Sequence, residues 1–111
     1  MRVADLSALD GVVETVTPGD PDAAVTGVCT SDLLSDVLAH AKPGEVLVTI
    51  QAHRNTIAVA SIAGIRAVVL ARARAAPPDM VEAAAAERIA ILRADAGQYE
   101  LSWRLHEALN R

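Results

Sequence analysis

The chain reads as a single small α/β domain, residues 1–111, with a mainly parallel sheet flanked by helices. Three observations predict this. The runs at 45–50 (EVLVTI), 66–71 (RAVVLA) and 89–92 (IAIL) are apolar without polar alternation, the pattern of strands buried on both faces. Helical patterns lie between them, so strand and helix alternate as βαβ units require, with right-handed crossovers. The chain is 52% hydrophobic but has only one Tyr and one Trp and no Phe, so Val, Ile, Leu and Ala must fill the core in thin layers.

The elements follow in order. Residues 3–11 form a short helix closed by Gly11, and 12–16 (VVETV) form a strand. The Pro and Gly residues of 17–22 (TPGDPD) make a turn. Residues 23–31 (AAVTGVCTS) are a strand with a glycine inside it. Leu33, Leu34, Val37, Leu38 and Ala41 fall at helical spacing, so 32–41 is a helix with Ser31 or Asp32 as its cap. After Lys42-Pro43-Gly44 comes the strand 45–50. A nearly all-apolar helix, 55–64, has Asn55 as its cap and Gly64 at its end. The strand 66–71 leads through the surface loop 71–77 to a helix over 77–88, with Pro in its first turn and acids near its positive end. The strand 89–92 and a last helix over 97–110 complete the chain. On that helix Leu101, Leu105, Ala108 and Leu109 share a face, and Tyr99, Trp103 and His106 lie on a neighbouring one. Aromatics are enriched at interface cores, so these three are assigned to a contact with a second subunit, giving a homodimer.

Composition excludes several classes. The net charge is −4 with no basic stripe, which argues against nucleic acid as partner. No apolar run reaches the roughly 18 residues of a membrane helix, and the first residues lack the apolar core of a signal peptide. Cys29 is the only cysteine, so no intramolecular disulfide forms, in keeping with the cytoplasm. It reads as a small core residue. No GxxxxGK[ST] loop is present, which removes the phosphate loop of kinases and nucleotide hydrolases. The three histidines fall on different elements and Cys29 lacks a partner, so neither a metal nor a resident cofactor is expected.

Two polar clusters stand out in this apolar chain. The first is Thr30, Ser31, Asp32 and Ser35, where a strand gives way to a helix. The second is Thr49, Gln51, His53, Arg54, Asn55 and Thr56, one βα unit later. In a parallel sheet such strand ends gather on one edge, where helix N-termini favour an anion. The clusters are therefore the expected ligand site, for an anionic or nucleotide-like molecule. Arg72 and Arg74 follow a strand too and read as solvated residues of a surface loop, with anion binding at the same edge as the alternative. Each polar residue alone is accounted for equally well as a cap or turn.

The segment "VTGVCTSDLLSDVLAHAKPGEVLVTIQAHRNTIAVASIAGIRAVVL" and the closing "YELSWRLHEAL" resemble the DRTGG domain family, in particular its small stand-alone members, often encoded beside iron-only hydrogenase genes. The similarity spans nearly the whole chain, from "VADLSAL" to "LHEAL". It implies an architecture like that of the N-terminal domains of HPr kinase/phosphorylase and of Mur ligases, and the domain also occurs inside some phosphate acetyltransferases. The chain departs from the family pattern where His53-Arg54 stands for Asp-Arg and Arg72-Ala73-Arg74 for Thr-Gly-Gly. The resemblance implies a regulatory, ligand-sensing module without catalysis. The alternative is an interaction module that docks on a redox enzyme without a small ligand. The third reading, a small enzyme using Asp32, His53 or Ser31, lacks any motif fixing their geometry.

Overall fold

The computed structural model describes all 111 residues. Five strands form one sheet in the order β1-β5-β4-β3-β2. They are β1 (Val12–Thr17), β2 (Gly27–Thr30), β3 (Glu45–Thr49), β4 (Ala67–Leu70) and β5 (Ala90–Ala94). β2 to β5 lie parallel in sequence order, and β1 closes the far edge antiparallel to β5 with two register irregularities. The helices are α1 (Leu34–His40), α2 (Arg54–Ala63), α3 (Pro78–Glu87) and α4 (Gln98–Leu109), preceded by a 3₁₀ helix over Val3–Ala8. The small α/β domain with a mainly parallel sheet is as expected.

Both faces of the sheet are covered, and alternate strand residues divide between two cores. Leu47, Val68, Leu70 and Ile91 face Val37 of α1, Ile57 and Ala60 of α2, and Met80 and Ala84 of α3. Val46, Val48, Val69 and Leu92 face Val3 and Leu6 of the 3₁₀ helix and Leu101 and Leu105 of α4. Four strands laid down in one direction with crossovers of one hand put every intervening helix on the same face. The opposite face is left to the two ends of the chain. β4 therefore leaves toward α3 on one face while its neighbour β5 leaves toward α4 on the other, and this is the sheet's topological switch point.

Several boundaries differ from expectation. The first helix is 3₁₀, and its register is set by Asp5, which accepts the Arg2 N–H at 2.8 Å. The strand expected over 23–31 shrinks to Gly27–Thr30, because residues 23–25 pair instead with the chain start: Val3 N–H donates to Ala23 O and Val25 N–H to Met1 O, both at 2.9 Å. Neither Ser31 nor Asp32 caps α1, whose N-cap is Leu33 without a side-chain hydrogen bond. Asn55 is not the cap of α2 either. His53 is, with Nδ1 accepting the Asn55 N–H at 3.1 Å. In α4 the stripe of Tyr99, Trp103 and His106 lies opposite the buried Leu101 and Leu105, not beside them.

Gly64 ends α2 with φ +77°, and a Cβ there would lie 3.1 Å from both Cα and Cβ of Pro43. A side chain meets both a left-handed backbone and a packed neighbour, so Gly64→Ala should cost about 1–2 kcal/mol. Leu47 is fully buried in a central strand, and Leu47→Ala should cost about 3 kcal/mol. Urea unfolding midpoints of the two variants check both magnitudes.

Candidate functional site at the carboxyl edge of the sheet

The parallel strands end on one edge, and the two polar clusters do meet there. Asp32 is the hub. Its Oδ1 accepts from Thr49 Oγ1 and from the Ile50 N–H, both at 2.9 Å, and from Gln98 Nε2 at 3.0 Å. Gln51 Nε2 donates to the Asp32 carbonyl at 3.0 Å. One carboxylate oxygen thus joins the end of β2, the end of β3 and the first residue of α4, while Oδ2 accepts no hydrogen bond from the chain. Partial burial pushes the Asp32 carboxyl up, but the Ile50 N–H, the Thr49 hydroxyl, the Gln98 amide and the Arg74 charge outweigh it and hold the group below the ordinary carboxylate range.

The neighbouring polar residues have separate roles. Thr30 Oγ1 and Ser102 Oγ lie 2.7 Å apart, and Ser102 Oγ donates to Gln98 O at 2.6 Å, so the Thr30 hydroxyl donates to Ser102. Thr49 Oγ1 also accepts the Gln51 N–H at 3.1 Å, and the buried Thr56 hydroxyl donates to Gln51 O at 2.8 Å. These bonds fix the β3–α2 loop. Ser31 Oγ accepts the Leu33 N–H in a local turn. Ser35, Arg54 and the Asn55 side chain are exposed. No hydrogen bond joins Ser31, Asp32 and His53, and the His53 Nδ1 is engaged with its own helix.

Sequence reasoning missed Gln98 and Ser102. They lie four residues apart on one flank of the apolar face of α4, and a polar pair bordering a buried stripe was the available signal.

The loop after β4 occupies the switch point. Arg72 and Ala73 have φ of +59° and +55°, and the Arg74 N–H donates to Ala71 O, which is the pattern of a type I′ turn made without glycine. The strained turn is held down by its neighbour: the Arg72 N–H donates to Ala96 O at 2.9 Å and the Ala73 N–H to Ala94 O at 2.7 Å. The Arg72 guanidinium lies over Gly97 at the start of α4, where an added Cβ would be 2.9 Å from Nη2.

Arg2, Arg88, Arg93 and Arg104 each lie within ion-pair distance of a carboxylate, and all four are elsewhere in the fold. Arg54, Arg72 and Arg74, on this edge, form no ion pair, as Lys42, Arg66 and Arg111 do not, but the Arg74 charge acts on Asp32 and Glu100 Oε2 lies beside the Arg72 guanidinium over Gly97. One groove of about 440 Å³ lies off the edge beside Leu9 and Trp103, and one of about 520 Å³ runs between β2 and α4 and reaches Thr30 and Ser102. Tyr99 is 79% exposed and Trp103 45%. Cys29 is half-buried on the edge strand rather than in the core centre, and desolvation, then Glu45 and Asp36, push its thiol up. No group of three or more His, Cys, Asp or Glu side chains converges as metal ligands, and no helix is long and apolar enough to cross a membrane. No protein-family model matches the chain, and no curated protein matches it.

Asp32→Ala strands the buried Thr49 hydroxyl and the Ile50 N–H and should cost about 2 kcal/mol, read from chemical denaturation. Its folded-state pKa is lowered, so the carboxylate contributes stability above its unfolded value of about 3.9 and loses it as pH falls through the folded value. The stability gap between wild type and Asp32→Asn should be level near neutrality and close only below about pH 4.

Proposed function

We propose that the chain is a non-catalytic ligand-sensing module of the DRTGG type that binds an anionic, hydroxyl-bearing small molecule, nucleotide-like in character, at the carboxyl edge of its sheet. The observation that carries this reading is the charge pattern. In a chain of net charge −4, three arginines that form no ion pair follow strands on the edge that holds an ionised aspartate with one oxygen free, and one of them, Arg74, acts on it. Arginine guanidinium groups match phosphate geometry. The free Asp32 Oδ2 accepts a hydroxyl donor. One ligand carrying both groups satisfies both features, whereas a bare anion would leave Asp32 a repulsive neighbour. The site is an open edge, which suits reversible sensing.

A second reading rests on a different observation. The only two aromatic side chains of the chain, Tyr99 and Trp103, are both on the solvent-facing side of α4, with the Arg104 guanidinium 5.7 Å from the Trp103 ring centre. Aromatic and arginine side chains dominate binding hot spots. This face is the place for a protein partner, and the resemblance makes a redox enzyme the first candidate.

Thermal unfolding in the presence of adenine nucleotides, phosphorylated sugars and inorganic phosphate separates the two. A true ligand at a hundred times its dissociation constant should add about 2.7 kcal/mol, an upward shift of about 10 °C. Exchanging Arg72 and Arg74 for Ala should abolish the shift while leaving the unliganded transition within a few degrees. A panel in which nothing moves the transition sinks the sensing reading.

A further inference from the structure

α4 is held to the rest of the fold unequally along its length. Two of its side chains bond to the sheet side of the candidate site, both near its start. Gln98 Nε2 donates to Asp32 Oδ1 at 3.0 Å, and Ser102 Oγ accepts the Thr30 hydroxyl at 2.7 Å. Just before the helix, the Ala96 carbonyl accepts the Arg72 N–H at 2.9 Å, and the Arg72 guanidinium lies over the buried Gly97. Beyond Ser102 the one side chain of α4 bonded to another part of the chain is Arg104, which reaches the Asp10 carbonyl at 3.1 Å. His106 and Asn110 bond only within the helix.

The flanks of α4 are open. α1, α2 and α3 all lie on the other face of the sheet, so no α-helix packs beside it. The groove of about 440 Å³ runs along one flank past Glu107 and Arg111, and the groove of about 520 Å³ along the other past His106 and Asn110. The second half of the helix is kept on the sheet by Leu105 and the partly buried Leu109. An element with few buried contacts opens ahead of the fold that carries it.

The start of α4 is also part of the candidate site. Docked, it gives Asp32 its third donor and seats Arg72. Lifted, Asp32 loses Gln98, and Arg72 loses both the Ala96 acceptor and its place on Gly97. A molecule that touches Asp32 and Arg72 therefore binds the docked helix more tightly, and a difference in affinity between two states is what shifts their balance. The aromatic side chains are placed to report the shift. Tyr99 follows Gln98 and Trp103 follows Ser102, so each is next in sequence to a residue that ties the helix down, turned from it by about 100° toward solvent.

We propose that α4 is the output element of this site: occupancy at Asp32 and Arg72 holds the helix on the sheet and so fixes the surface that Tyr99 and Trp103 present. This rests on the sensing reading above and joins it to the aromatic face.

The test is native-state hydrogen exchange of the full chain, read with the fluorescence of Trp103, its only tryptophan. The amides of Ser102 to Leu109 should exchange through a local opening, faster than those of β3 and β4. Gln98→Leu, which leaves Asp32 its Thr49 and Ile50 donors, should speed them about tenfold and leave β3 unchanged. Adenosine monophosphate and inorganic phosphate are the probes. A probe that raises the thermal transition, at about ten times its dissociation constant, should slow the α4 opening about tenfold and shift the Trp103 emission. Linkage adds a readout that a merely structural bond would not move. Leu109→Ala loosens the far end of α4 and should weaken that probe about fivefold, whereas Val12→Ala, cut into the same core from β1, should not. If Leu109→Ala does not fold, the probe's effect on α4 exchange in wild type decides. α4 amides that exchange only with global unfolding overturn the proposal. So does a probe that raises the transition but leaves the α4 opening unchanged, and in both cases the sensing reading stands. If neither probe raises the transition, the inference falls together with that reading, and Gln98 is a tie of the fold alone.

Discussion

The fold depends on burying β3 and β4 on both faces with side chains no larger than leucine. Val46 to Val48 and Ala67 to Leu70 are fully excluded from water, and no aromatic residue helps to fill the space around them. Aliphatic side chains of this size span little distance, so the helices must come close. Small residues on the helices allow it, Ala60 in α2 and Ala84 in α3 above all. Sheet and helices are thus matched in thinness, and each buried side chain loses contacts that no neighbour is long enough to replace if it is cut back.

That constraint also decides where polarity can go. A chain that spends its strand interiors on Val, Ile, Leu and Ala has only the strand ends left for hydrogen bonding side chains. At the carboxyl edge the ends of β2 and β3 and the first turn of α4 leave backbone and hydroxyl donors that need an acceptor. Asp32 supplies it, and in doing so ties the helical layer on one face to the helix on the other. The Thr30–Ser102 pair makes a second tie between the same strand and the same helix. These residues are structural even if nothing binds, since Thr49 is fully buried and its hydroxyl is satisfied through Asp32. The arginines differ. Removing Arg54, Arg72 or Arg74 breaks no ion pair of the fold, although the Arg74 charge helps to keep Asp32 ionised.

Much of this was legible in the sequence, and the residues show why the rest was not. The strands of the second half were readable because burial on both faces removes polar alternation, and Gly64 marked its helix end. The caps were misread. Ser31, Asp32 and Asn55 are good cap residues in isolation, but Asp32 is drawn across the sheet by three donors from β3 and α4, and His53, one of the less obvious choices, takes the cap of α2. Such long-range competition does not register in local spacing. The early strand was overestimated for a similar reason: residues 23–25 find their partner in residues 1–3, far away in sequence. The meeting of the two polar clusters followed from strand order, while the part of α4 in the site did not, because Gln98 looked like an ordinary first-turn residue.

The turn at Arg72-Ala73 links these themes. Two consecutive non-glycine residues at positive φ cost of order 1–3 kcal/mol each. The turn persists because Ala94 and Ala96 hold its amides from the neighbouring loop. Glycine would relax it at once, and the chain instead places an arginine there, with its guanidinium over the start of α4. The helix N-terminus there is itself positive, and the Glu100 carboxylate shares the spot, its Oε2 3.0 Å from where a Cβ on Gly97 would lie. The fold therefore tolerates backbone strain at one point, the switch point of its sheet. Strain of this kind gathers where a protein binds something. On the proposed function, the anionic part of a ligand would lie near Arg72 and Arg74, with Asp32 left to read the rest of the molecule.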